Sequence, residues 1–150
     1  MKRIVIATDG STEARAAVEY GLDLARCSDA SATVIYVRRA PRRFVGDRFY
    51  QPEISEGLRS EDDAGDHAAR VAADLDVQID VLILEGDPAE LIIELARLKD
   101  ADLIVLGSRN RGPLVAALLG SVSNEVVTHA DRPVLVTHAF DDRRRALATS

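Results

Sequence analysis

The chain has 150 residues, 47% of them hydrophobic, which suits one compact domain with its own core and excludes a disordered chain. A formal net charge of −6 argues against general nucleic-acid affinity, which needs a positive surface. It leaves room for a small anion held by local backbone N–H groups.

Met1-Lys2-Arg3 leads directly into a short apolar run, too short for the core of a signal peptide. No run approaches the ~20 residues that cross a bilayer, so a cytoplasmic protein without a membrane partner is expected. Ile4-Val5-Ile6-Ala7 reads as a strand buried on both faces, ending at Asp9-Gly10. Ala14, Ala17, Val18, Leu22 and Ala25 then recur at helical spacing, with Ser11 as N-cap. Cys27, near the end of that pattern, is the only cysteine; it excludes an internal disulfide and reads as a small, partly buried residue. Thr33 to Val37 is a second buried strand, Val81 to Leu84 a third and Leu103 to Leu106 a fourth. Pro133 to Thr137 closes the series, with proline tolerated where a strand begins.

Helices fall between these strands. One runs over roughly Ile54 to Ala73. Another starts at Pro88 and carries Leu91, Ile92, Leu95 and Leu98 on one face. A third carries Leu118, Val122 and Val126 towards Ala130, with His129 near its carboxyl end, where the helix dipole favours it. The alternation predicts an α/β domain: an open five-stranded parallel sheet with helices on both faces, flavodoxin-like or Rossmann-like. Such sheets bind ligands beyond the carboxyl ends of their strands, where strand order reverses. The domain is expected over 1–140, with 141–150 as a frayed tail whose Arg143-Arg144-Arg145 is solvated. Arg38 to about Gly57 is charged and irregular, with Phe44, Phe49 and Tyr50 embedded in it. A loop of that length is either a lid or partner surface, or a disordered insertion.

Signatures of catalysis are scarce. His67, His129 and His138 lack partners at ligand spacing, so no metal site is read from them. No Gly-x-Ser-x-Gly elbow occurs, and no Gly-x-Gly-x-x-Gly follows the first strand. Gly107 and Gly112 have P-loop spacing, but Pro113-Leu114 stand where Lys-Ser/Thr is needed. A phospho-receiver needs an acidic cluster and a lysine after strand five; Glu85 and His138 occupy the comparable places.

What remains is the loop from Gly107 to Pro113, followed by Gly120-Ser121-Val122-Ser123. Glycine lets a backbone approach a phosphate, and a helix starting near Gly120 would present free N–H groups, with Ser121 and Ser123 as hydroxyl donors. On spacing alone the competing reading is structural: Gly107 turns the chain, and Gly120-Ser121 caps a helix. Asp9 either caps the first helix or accepts hydrogen bonds from a ribose. Strands one and four should be neighbours at the switch point, so Asp9 and Gly107 would face one crevice.

With these residues in place the sequence resembles the universal stress protein family over about residues 2 to 138. The matching segments are Ile4 to Ser11, Val105-Leu106-Gly107-Ser108-Arg109, Gly120 to Ser123 and Arg132 to Val136, together with the Glu85-Gly86-Asp87-Pro88 turn. ATP-binding members carry Gly-x2-Gly-x9-Gly-Ser/Thr, which lays Gly107 on the first glycine, Gly120 on the third and Ser121 on the final hydroxyl. The second glycine falls on Asn110, a departure; asparagine tolerates a left-handed backbone but adds a side chain near the phosphates. The resemblance implies ATP, ADP or AMP as cofactor, with Mg²⁺ as a companion, in a stress-response module. The ligand contacts it implies are Ala7, Asp9, Val37, Gly107, Ser108, Arg109, Asn110, Gly112, Gly120, Ser121 and Val122. It also implies a homodimer through the Pro133 to Thr137 strand. Two alternatives remain: a weak ATPase, for which no catalytic residue is evident, and a nucleotide-free dimeric interaction protein.

Overall fold

The computed structural model describes residues 1–39, 54–108 and 119–138. Strands β1 (Arg3–Thr8), β2 (Ser31–Arg39), β3 (Ile79–Gly86), β4 (Leu103–Gly107) and β5 (Val134–Thr137) alternate with helices α1 (Thr12–Ser28), α2 (Ile54–Leu75), α3 (Pro88–Leu98) and α4 (Ser121–His129). All strand pairs are parallel, in the order β3-β2-β1-β4-β5. Of the two doubly wound plans expected, this is the Rossmann order, and it reverses between β1 and β4. The neighbouring strands one and four expected from the sequence are present: Ile4, Val5 and Ile6 stand beside Leu103, Ile104 and Val105.

Two cores lie back to back on this sheet. Ile4, Ile6, Ala32, Val34 and Val105 pack on one face against Ala17, Val18, Leu22 and Ala25 of α1 and Ala68 and Ala72 of α2. On the other face Val5, Ile35, Ile104 and Leu106 pack against Ala89, Ile92, Ile93, Leu95 and Ala96 of α3 and Val126 of α4. Central strands buried on both faces explain the continuous apolar runs.

Two sequence expectations change. β3 is an edge strand with alternating exposure rather than a buried one, and Val81 and Ile83 are 39% and 41% exposed. A short run of Val, Leu and Ile looks the same whether one neighbour strand or two will cover it. Cys27 is exposed, because the buried stripe of α1 passes through Leu22 and Ala25 and leaves position 27 outside. Gly57 and Ile54 fall within α2, so the irregular stretch is shorter than expected; its residues 40–53 lie outside the described ones. So do Leu118 and the tail 141–150.

The entry into β5 is fastened to the end of α3. The Arg132 guanidinium donates from Nη1 to the carbonyl oxygens of Ala96 (2.7 Å), which also accepts the Ala101 amide, and of Ala101 (3.0 Å), and so ties the end of α3 to the chain entering β4. Its Nε bonds Asp131, which also receives Arg97. Arg132 holds the Asp131 carboxyl at about 2, below its usual 3.8. Replacing Arg132 by Met removes both of these charge-assisted bonds and should lower stability by about 2 kcal/mol, read by urea denaturation. Because the folded-state value of Asp131 is depressed, its stabilisation is complete above about pH 4 and is lost as pH falls towards 2. The Asp131→Asn protein should accordingly show a shallower fall of Tm across that window than the wild type.

Candidate functional site

The carboxyl ends of β1 and β4 meet at the switch point. After β1 the chain turns through Asp9 and Gly10. The Thr8 hydroxyl accepts from the Gly10 amide at 3.2 Å, and Asp9 Oδ1 accepts from the Ser11 amide at 3.0 Å. Gly10 takes φ 77°, a left-handed conformation that favours glycine. Ser11 is the N-cap of α1, its hydroxyl accepting from the Ala14 amide at 3.2 Å. The helix-capping role open to Asp9 therefore belongs to Ser11. Asp9 braces the turn that presents the cap, and it remains exposed at the crevice.

Gly107 ends β4 against the first turn of α1. A Cβ built there would lie 2.5 Å from the Glu13 carbonyl oxygen and 3.0 Å from the Ala14 amide nitrogen. The absence of a side chain is thus required by helix packing, whatever a ligand demands. Ser108 follows, its amide donating to the Thr137 carbonyl of β5 at 2.8 Å.

Gly120 contrasts with Gly107. It is the N-cap of α4 with φ −59° and ψ 163°, angles open to any residue, and a Cβ there meets nothing within 4 Å among the described residues. It brings no side-chain acceptor to the helix, and no acidic residue lies in the first turn. By contrast α1 has Ser11 as cap and Glu13 in its first turn, and α3 has Asp87 and Glu90. The α4 amides of Ser121, Val122 and Ser123 thus carry the positive end of a helix dipole with no side-chain cap. Ser123 spends its hydroxyl on the Gly107 carbonyl, 3.1 Å away, which ties the start of α4 to the end of β4.

Among the described residues two hydroxyls at these strand ends are buried without a hydrogen-bond partner, Ser108 Oγ at 1% residue exposure and, on the opposite α1 face by alternation from Leu135, Thr137 Oγ1 at 7%. A hydroxyl buried without a partner costs about 1–3 kcal/mol, which a ligand acceptor would recover. Ser108 was among the sequence candidates; Thr137 was not, since a threonine ending an apolar strand has no local pattern of its own.

Of the eleven candidate contacts, Ala7, Val37 and Val122 pack on the core cluster under α3 and α4. Alternation from Leu106 places Ser108 on that same face. Gly120 and Ser121 open the helix above it. Asp9 stands at the neighbouring turn, whereas Gly107 turns towards α1. Arg109, Asn110 and Gly112 lie outside the described residues. No group of three His, Cys, Asp or Glu side chains suited to a metal ion occurs among the described residues. No helix among them is long and apolar enough to cross a membrane.

Comparison with known proteins agrees with this geometry. A family model described as the universal stress protein family matches residues 1–138. A universal stress protein of Methanocaldococcus jannaschii is 39% identical over 138 residues, covering 90% of this chain and 81% of its own. A universal stress protein structure from Archaeoglobus fulgidus shares the fold at TM-score 0.70 and 24% identity, covering 91% of this chain and 98% of that one. A universal stress protein in complex with cAMP superposes at TM-score 0.67 with 26% identity, covering 93% of this chain and 98% of that one.

The packing role of Gly107 is separable from any ligand. Gly107→Ala forces the end of β4 from the Glu13 carbonyl and should cost about 2 kcal/mol, a fall in Tm of about 5 °C. That loss should appear equally with and without added nucleotide in a thermal melt.

Proposed function

The chain belongs to the universal stress protein family, and from that premise we propose that it is a binding module for an adenine nucleotide such as ATP, ADP or AMP. The observation that carries the reading is Gly120: its backbone is ordinary, its surroundings are open, and it withholds a cap from α4. Nothing in the described packing asks for glycine there, whereas an anion approaching the Ser121 to Ser123 amides does. The unpartnered Ser108 hydroxyl and the related protein's cAMP complex support the same reading.

In this arrangement the phosphates lie at the amino end of α4, the ribose reaches Asp9, and the adenine lies over Ala7 and Val37. Arg109, Asn110 and Gly112 belong to the intervening loop. A Mg²⁺ ion, where present, is held chiefly by the phosphates, because the described residues supply no acidic cluster. Hydroxyls and amides dominate the crevice. They neutralise and orient an anion, which favours binding over turnover. The same premise extends to a homodimer through β5, a sheet edge whose Val134, Leu135 and Val136 are each only partly covered.

Gly120→Asp separates this function from stability. Aspartate is a strong N-cap with a charge suited to the dipole, so stability should hold or rise by a few tenths of a kcal/mol. Its carboxylate would occupy the anion position, and nucleotide affinity measured by calorimetry should fall at least ~10-fold. Equal affinity of wild type and Gly120→Asp for AMP would remove the reading. Asn110→Gly, which restores the family's second glycine, should tighten ATP binding. Light scattering at micromolar concentration should give twice the chain mass; a monomer would defeat the dimer.

A further inference from the structure

The amino end of the sheet has an open corner. α3 leaves the carboxyl end of β3 and crosses towards the amino end of β4, and its 11 residues make a rod about 16 Å long. It packs chiefly on β1 and β2, and its path leads away from the first residues of β3. A hollow of about 440 Å³ lies in that corner, with Lys99 at the end of α3 on its border. Strand register fixes the floor. Val5, Thr33 and Asp80 stand side by side on β1, β2 and β3, and alternation from Ile35 and Leu82 turns Thr33 and Asp80 towards the α3 face. Arg3 and Ser31 form the row below. The row above, Ala7, Ile35 and Leu82, is wholly apolar and packs into the core. The floor thus turns polar where the helix stops covering it.

Thr33 is the group that points to a ligand. It is only 7% exposed, its hydroxyl bonds none of the described residues, and it lines the hollow. Valine would fill the same space without the cost of an unmet hydroxyl. The charges at the border, by contrast, cancel one another. Lys99 Nζ lies 3.3 Å from Asp80 Oδ2, and Arg3 bonds Asp100. These pairs leave no surplus charge to hold an ion, yet Asp80 keeps further acceptor sites and Lys99 further N–H donors. We propose that the hollow is a second binding site, separate from the nucleotide crevice, for a small uncharged polyhydroxylated molecule such as a monosaccharide or cyclic polyol. One ligand hydroxyl bonds Thr33. Of two vicinal hydroxyls, one donates to Asp80 and the other accepts from Lys99, so the ion pair stays balanced. A carbon–hydrogen face rests on Val5. The volume lies within the range of small-molecule sites, which also combine apolar walls with a few placed polar groups. The proposal stands independently of the adenine-nucleotide reading.

The test is NMR titration of the isotope-labelled full chain with glucose and with myo-inositol, and with sodium glutamate as the charged probe. At least one of the two polyols should shift the Thr33, Asp80 and Lys99 amide signals saturably at millimolar concentration and leave those of Ser121 to Ser123 in place. Thr33→Val keeps the shape and drops the hydroxyl; it should weaken that binding about 10-fold. Its Tm should equal or exceed that of the wild type, because the unmet hydroxyl is gone. Thr33→Ser, which keeps the hydroxyl, should retain most of the affinity. Absence of a saturable shift in the hollow with both polyols overturns the site, as does equal polyol affinity of wild type and Thr33→Val. Tighter binding of glutamate than of either polyol overturns the assignment to an uncharged ligand.

Discussion

The architecture of the crevice depends on one close contact, the end of β4 against the first turn of α1. Gly107 has no room for a Cβ because the Glu13 carbonyl already fills that space. Bringing strand and helix so close sets the height of α1 above the sheet and with it the Asp9-Gly10-Ser11 turn that feeds the helix. From the other side the Ser123 hydroxyl binds the Gly107 carbonyl and fixes the start of α4. One residue therefore positions both helix beginnings that border the switch point, one through its missing side chain and one through its carbonyl. A parallel sheet gives such a residue its leverage, since both crossovers bring their helices back over the same strand ends.

The polar accounting around that contact is uneven, and the unevenness has a direction. At β1–α1 every feature is self-sufficient: Thr8 and Asp9 accept turn amides, and Ser11 caps the helix. The α3 terminus is equally complete, with Asp87 accepting from the Glu90 amide at 3.0 Å. At β4–α4 the cap is a glycine, and the nearby Ser108 hydroxyl is buried without a partner among the described residues. Unsatisfied buried groups are rare in folded proteins because each is costly. Ser108 at the one terminus of these three without a side-chain cap marks where the fold leaves bonding capacity for something else.

Much of this was legible in the sequence. Central strands buried on both faces appear as unbroken apolar runs, and Ser11, Asp87-Pro88 and Gly120 punctuate the helices at the places where caps sit. Local patterns did not separate an edge strand from a central one, so Val81 and Ile83 looked buried. Exposure there depends on which strands arrive alongside, a property of topology rather than of the run itself. The two glycines of the loop motif were alike as letters, yet one is demanded by α1 and the other by nothing in the described packing. Only the position of Glu13, distant in sequence from Gly107, tells them apart. Thr137 stayed hidden for a similar reason: its significance is the lack of a partner, which no sequence pattern records.

The two ends of the sheet also differ in how charge is disposed. At the amino end, Asp102 accepts from the Lys2 and Arg3 amides at 2.6 and 2.9 Å, and these bonds lower its carboxyl below the usual range. Arg3 pairs with Asp100, and Lys99 with Asp80. A hollow of about 440 Å³ lies there, bordered by Arg3, Asp80 and Lys99, but each of its charges is answered by another within the fold. A charged ligand entering it would have to displace bonds the protein already makes. At the carboxyl end the balance is reversed among the described residues, with amides lacking a side-chain cap at α4 and the orphaned Ser108 hydroxyl near it. The presence of a hollow is one guide to a binding site. Unspent bonding capacity favours the crevice, and capacity is the better guide, because a ligand gains free energy only from groups the fold has not already satisfied.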